Sequence, residues 1–73
     1  MLSKYPVLKP KEITRALEKF GFSFVSQRGS HMKYSNGMRM TIVPEHDEVA
    51  KGTLKSILEL AGIELEDFLE KLK

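Results

Sequence analysis

The apolar positions of this chain change period twice, and each change predicts a change of element. Ile13, Ala16, Leu17 and Phe20 recur at helical spacing, a stripe down one side of an α-helix. Lys9-Pro10 opens that helix, because proline at the first helical position gives up only an N–H with no partner there. Gly21 supplies its C-terminal stop. Beyond Gly21 the period falls to two. Phe22 and Phe24 alternate with Ser23 and Val25, predicting a first strand of about six residues. Arg28-Gly29-Ser30 makes a tight connection, a second strand runs from His31 to Tyr34, and a third from Met38 to Val43. Pro44 ends the sheet and Glu45-His46-Asp47-Glu48 forms an acidic loop. A second helix then starts near Gly52-Thr53, carries Leu54, Ile57, Leu58 and Ala61 inward, and stops at Gly62. A short third helix presents Leu65, Phe68, Leu69 and Leu72. The order α-β-β-β-α-α predicts an α+β fold, a three-stranded antiparallel sheet with helices packed on one face.

The hairpin around Asn36-Gly37 decides which side chains share a face. A two-residue loop would set Tyr34 against Arg39 and Met32 against Thr41. A three-residue loop, Ser35-Asn36-Gly37, pairs Tyr34 with Met38 and Met32 with Met40, so that one face is apolar throughout. It also puts Gly37 where a type I turn plus bulge needs a left-handed residue. That register is the expected one. It makes the methionines core filler, and it leaves His31, Lys33, Arg39 and Thr41 together on the solvent side.

With 73 residues the chain is expected to be one domain, residues 1–73. A domain of this size buries only roughly 60% of the surface its unfolded chain exposes. It contains no cysteine to staple it, so extra stabilisation would come from a partner or from self-association. No run approaches the roughly 18 continuous apolar residues of a membrane span, and MLSKYPVLKPKE lacks a signal-peptide apolar region. The expected setting is soluble and cytoplasmic. The net charge of +2 hides an asymmetry: residues 1–40 carry +6 and residues 41–73 carry −4. A basic N-terminal half points to a polyanion as partner. Lys11, Arg15 and Lys19 make a basic ridge on the first helix, read as a solvated face.

The chemistry available is narrow. No pattern matches a P-loop, a zinc site or a dinucleotide fingerprint. No metal and no small-molecule cofactor is expected. His31 and His46 are the two histidines, and histidine is the side chain that titrates nearest neutrality. RNA cleavage suits so small a set, because the substrate brings its own nucleophile, the 2′-hydroxyl beside the scissile phosphate. The protein has only to move protons and stabilise charge. His31 is the candidate catalytic residue. Arg28, Lys33 and Arg39 are candidates to grip phosphate, with Gly29 and Ser30 offering close backbone approach. His46, in a polar loop beside Glu45 and Asp47, calls for no special explanation.

Several segments taken together resemble the HicA toxins. They are Lys11-Glu12-Ile13, Ala16 to Phe22, Gln27-Arg28-Gly29-Ser30-His31, Val43-Pro44-Glu45-His46, Lys51 to Leu58, Ala61-Gly62-Ile63 and Phe68. The resemblance runs from about Pro6 to Leu69, with the motifs in order. It implies a double-stranded-RNA-binding-domain-like fold, an mRNA interferase activity that stops translation, and a HicB antitoxin as partner. The family's catalytic histidine follows a Gly-Ser pair, which here is His31. Many members carry two adjacent histidines at that point, where this chain has His31-Met32. Two other readings compete. A non-catalytic RNA-binding module of the double-stranded type would want a dense lysine cluster at the start of the helix after the sheet; here that helix has Lys51 and Lys55, with Glu45, Asp47 and Glu48 just upstream. A protein-interaction domain would account for the acidic C-terminal half, a need an antitoxin would also meet by covering the basic sheet face and His31.

Overall fold

A computed structural model describes residues 2–72. After a single 3-10 turn over Leu2–Lys4, helix α1 spans Pro10–Lys19, strands β1, β2 and β3 span Ser23–Arg28, His31–Ser35 and Met40–Pro44, and helices α2 and α3 span Lys51–Ala61 and Leu65–Lys71. The three strands form one antiparallel sheet in the order β1-β2-β3. The predicted α+β order α-β-β-β-α-α is the observed one. Among the described residues, no helix is long and apolar enough to cross a membrane.

Each helix ends where its sequence says it should. At the start of α1 the Lys9 N–H donates to Glu12 Oε1 at 2.9 Å, so a first-turn carboxylate takes an N–H that would otherwise lack a partner. Gly21 and Gly62 follow α1 and α2 with φ of +88° and +73°, the left-handed conformation that closes helix C-termini. Ile13, Ala16 and Leu17 of α1 are buried, as are Leu54, Ile57, Leu58 and Ala61 of α2 and Leu65 and Phe68 of α3. They meet Phe22, just before β1, and Tyr34 and Val43 from the sheet, with Met32 partly buried beside them. Helices therefore cover one face of the sheet and leave the other open.

The β2–β3 register differs from the expected one. Tyr34 lies opposite Thr41, Met32 opposite Val43, Lys33 opposite Ile42 and His31 opposite Pro44. The loop is four residues long, 36–39. Relative to the Tyr34–Met38 pairing this is a slip of three positions, and an odd slip exchanges the faces of β3. Thr41 is consequently inside, fully buried, and Met38 and Met40 are outside, with Met38 93% exposed. The methionines of β3 and its loop are not core filler. Two interactions account for the difference, one within the loop and one reaching α2. Asn36 Oδ1 accepts the N–H groups of both Met38 (2.9 Å) and Arg39 (2.7 Å), closing the longer loop. The Thr41 hydroxyl donates to the Ile57 carbonyl of α2 at 2.9 Å, which removes the cost of burying it. Gly37 does take the predicted positive φ, +94°.

Candidate active site

The β1–β2 hairpin builds the site. Arg28 pairs with His31, leaving Gly29 and Ser30 as a two-residue loop. Gly29 has φ +60° while Ser30 stays in the negative range, the pattern of a type II′ turn. A β-bulge between Phe24 and Ser26 resets the register, so that Ser26 pairs with Lys33 and Arg28 with His31. The bulge thus decides which β1 side chains stand beside the imidazole. Ser26, Arg28, His31, Lys33 and Ile42 line one groove on the uncovered sheet face. His31 is exposed there, with a guanidinium from the residue directly across the strand pair and an ammonium two residues along its own strand.

Of the predicted site residues, His31, Arg28, Lys33, Gly29 and Ser30 come together at this hairpin. The space above Gly29 is open, with no atom within 4 Å of where a side chain would begin. Arg39 and Thr41, expected beside His31, are elsewhere. Thr41 is under the sheet. Arg39 belongs to the loop at the other end of β2 and turns toward α2, where its Nη1 donates to the Leu60 carbonyl at 3.4 Å. A cation at a helix C-terminus meets the carbonyls left without helical partners, so Arg39 completes the end of α2 and is not part of the His31 groove.

Sequence reasoning missed the other wall. A second groove at the free edge of β3 also contains His31 and Ile42, and adds Pro44, His46, Thr53, Ser56, Ile57 and Leu60. His46 thus shares a groove with His31. The signal was present but depended on register: once Pro44 is known to face His31, alternation puts His46, two residues on, toward the same side.

Two other features stay apart. Lys11, Arg15 and Lys19 remain on α1 in the helical layer, where the Lys19 ammonium donates to the Lys71 carbonyl at 2.8 Å. The hollow between α1 and the end of α3 mixes Glu12 and Glu18 with Arg15, Lys19 and Lys71 and contains no imidazole. Among the described residues, no three His, Asp or Glu side chains gather as a metal site would require.

Comparison with curated proteins gave no match. The family model for the HicA toxin of bacterial toxin-antitoxin systems matches residues 10–63, from the first residue of α1 to just beyond the glycine that ends α2. The match spans most of the chain and includes the whole sheet with His31 and His46, and the chain therefore belongs to the HicA toxin family.

Proposed function

We propose that this protein is an endoribonuclease toxin that cleaves mRNA and so stops translation, with His31 transferring a proton at the scissile phosphate. The observation that carries this reading is the exposed His31 imidazole on the open sheet face, flanked by Arg28 and Lys33. A positioned acid or base contributes typically 10²–10⁴-fold. The two cations supply positive charge where the pentavalent phosphorus accumulates negative charge. Gly29 and Ser30 offer main chain to the same phosphate, and no atom lies within 4 Å of where a side chain at Gly29 would begin. Because the 2′-hydroxyl is the nucleophile, the products are a 2′,3′-cyclic phosphate and a 5′-hydroxyl, and proton transfer suffices without a metal.

The partner of this reading is a HicB-type antitoxin that covers the open sheet face and the His31 groove. Charge favours such a match, because Arg28 and Lys33 offer an acidic protein surface the same contacts they offer phosphate.

His31→Ala is expected to abolish toxicity and RNA cleavage while leaving the melting temperature within a few degrees of the parent, since the side chain is exposed. An oligonucleotide with 2′-deoxyribose at the cut site is expected to resist cleavage, and a chelator to leave cleavage of ordinary RNA unchanged. A His31→Ala variant as active as the parent, or efficient cutting at the deoxy position, would overturn the reading. A gel shift that persists without product would favour the non-catalytic RNA-binding module instead.

A further inference from the structure

Strand scission by a 2′-hydroxyl moves two protons, one off the attacking oxygen and one onto the leaving 5′-oxygen. The attacking and leaving oxygens stand roughly in line on opposite sides of phosphorus. One imidazole beside the phosphate serves one of them directly. We infer that His46 is the second proton-transfer group, acting on the same phosphodiester as His31 across the groove at the free edge of β3. This inference rests on the ribonuclease reading above.

Three observations place His46 there. The main-chain N–H of Glu45 donates to the Ser30 carbonyl at 2.6 Å, which extends the antiparallel ladder by one pair beyond His31–Pro44; His46, two residues past Pro44, therefore lies diagonally across the ladder end from His31. Gln27 Nε2 then donates to Glu45 Oε1 at 2.7 Å and to the Gly29 carbonyl at 2.9 Å. The loop carrying His46 is therefore tied by main chain and by side chain to the hairpin that carries His31. Finally, both histidines line one groove, whose wall at Ile42 and His31 continues into the groove that contains Arg28 and Lys33. A phosphate at that junction has cations on one flank and the second imidazole on the other.

The step balances within the pair and its substrate. A neutral imidazole takes the proton of the 2′-hydroxyl, the O2′–P bond forms, and the P–O5′ bond breaks. The other histidine, as imidazolium, gives its proton to O5′. The cyclic phosphate and the 5′-hydroxyl leave, and exchange with water restores both protonation states. An exposed histidine beside Glu45 and Asp47 with no chemical task would show none of the behaviour that follows.

The test compares the parent, His31→Ala and His46→Gln on an RNA oligonucleotide and on the same oligonucleotide with sulfur replacing the 5′-bridging oxygen at the mapped cut site. Sulfur departs as a thiolate and needs no proton, so it rescues the loss of a general acid and not of a general base. Each single variant is expected to lose about 10²–10⁴-fold on ordinary RNA, and one of the two, not both, to recover to within about tenfold of the parent on the sulfur substrate. The parent's kcat/KM is expected to trace a bell against pH, with one limb missing in His46→Gln. His46→Gln cleaving ordinary RNA at the parental rate would overturn the proposal while leaving the His31 reading intact. Rescue of both variants, or of neither, would also overturn it. A parent that cleaves no RNA, or a fully active His31→Ala, would instead remove the ribonuclease reading.

Discussion

At the scale of single residues, this molecule sorts its cations by where their strands and loops end. Arg28 and Lys33 reach the groove beside His31 because the bulge in β1 and the alternation of β2 turn them to the open face. Arg39 is equally basic and nearby in sequence, yet its guanidinium goes to the Leu60 carbonyl. Salt dependence separates the two kinds. Each phosphate contact on a single strand adds about 0.7 to the slope of log affinity against log salt. RNA binding measured with cleavage-inactive His31→Ala is therefore expected to lose about 0.7 of slope with Arg28→Ala and again with Lys33→Ala. Arg39→Ala is expected to leave the slope unchanged. Unaltered slopes for Arg28→Ala and Lys33→Ala would remove them from the phosphate grip.

Among the elements, the junction of α2 with the β2–β3 loop shows which of two strains is the larger. A side chain at Gly62 would begin 2.7 Å from Arg39 Nε, and it would also have to adopt φ +73°. The first conflict lies with the far end of a flexible side chain, which can swing aside. The second is a property of the main chain and costs an L-residue about 1–2 kcal/mol. Gly62→Ala is thus expected to destabilise by about 1–2 kcal/mol, and removing Arg39 as well is expected to recover less than about 0.5 kcal/mol. Urea unfolding of the two single variants and the double variant measures this. A large recovery would mean that crowding against Arg39, and not the backbone conformation, causes most of the loss.

For the molecule as a whole, one thin core supports everything. A chain of 73 residues has a stability of about 4–11 kcal/mol by the usual per-residue range. Phe68 is fully buried where α3 closes the core. Phe68→Ala is expected to cost about 3–5 kcal/mol, a large share of that stability, and so to lower the melting temperature steeply. Phe24, 52% exposed on β1, meets Tyr34 edge-on at 5.9 Å, a pair worth about 0.5–1.5 kcal/mol, so Phe24→Ala is expected to cost only about 1 kcal/mol. Thermal denaturation of the two variants tests the contrast. The same thinness has a functional side: with the helices all on one face of the sheet, the other face has no internal cover and is free for RNA or for an antitoxin.

The helices were legible in the sequence because their signals are local. Pro10, Gly21 and Gly62 act on their own backbone dihedrals, and the stripes of α1 and α2 need only the 3.6-residue period to be read. Gly29 and its turn were legible for the same reason, and with them the position of His31 at the start of β2. The pairing of β3 was not. Met38 and Met40 looked as fit for the interior as Thr41 and Val43, because the sequence does not disclose that α2 offers the Ile57 carbonyl to the Thr41 hydroxyl, or that Asn36 will hold two loop amides. Register is a contest between packings, decided by groups far apart in the chain. That contest took Arg39 and Thr41 away from His31 and brought His46 into its groove. Local chemistry thus named the imidazole, and only the tertiary structure chose its neighbours.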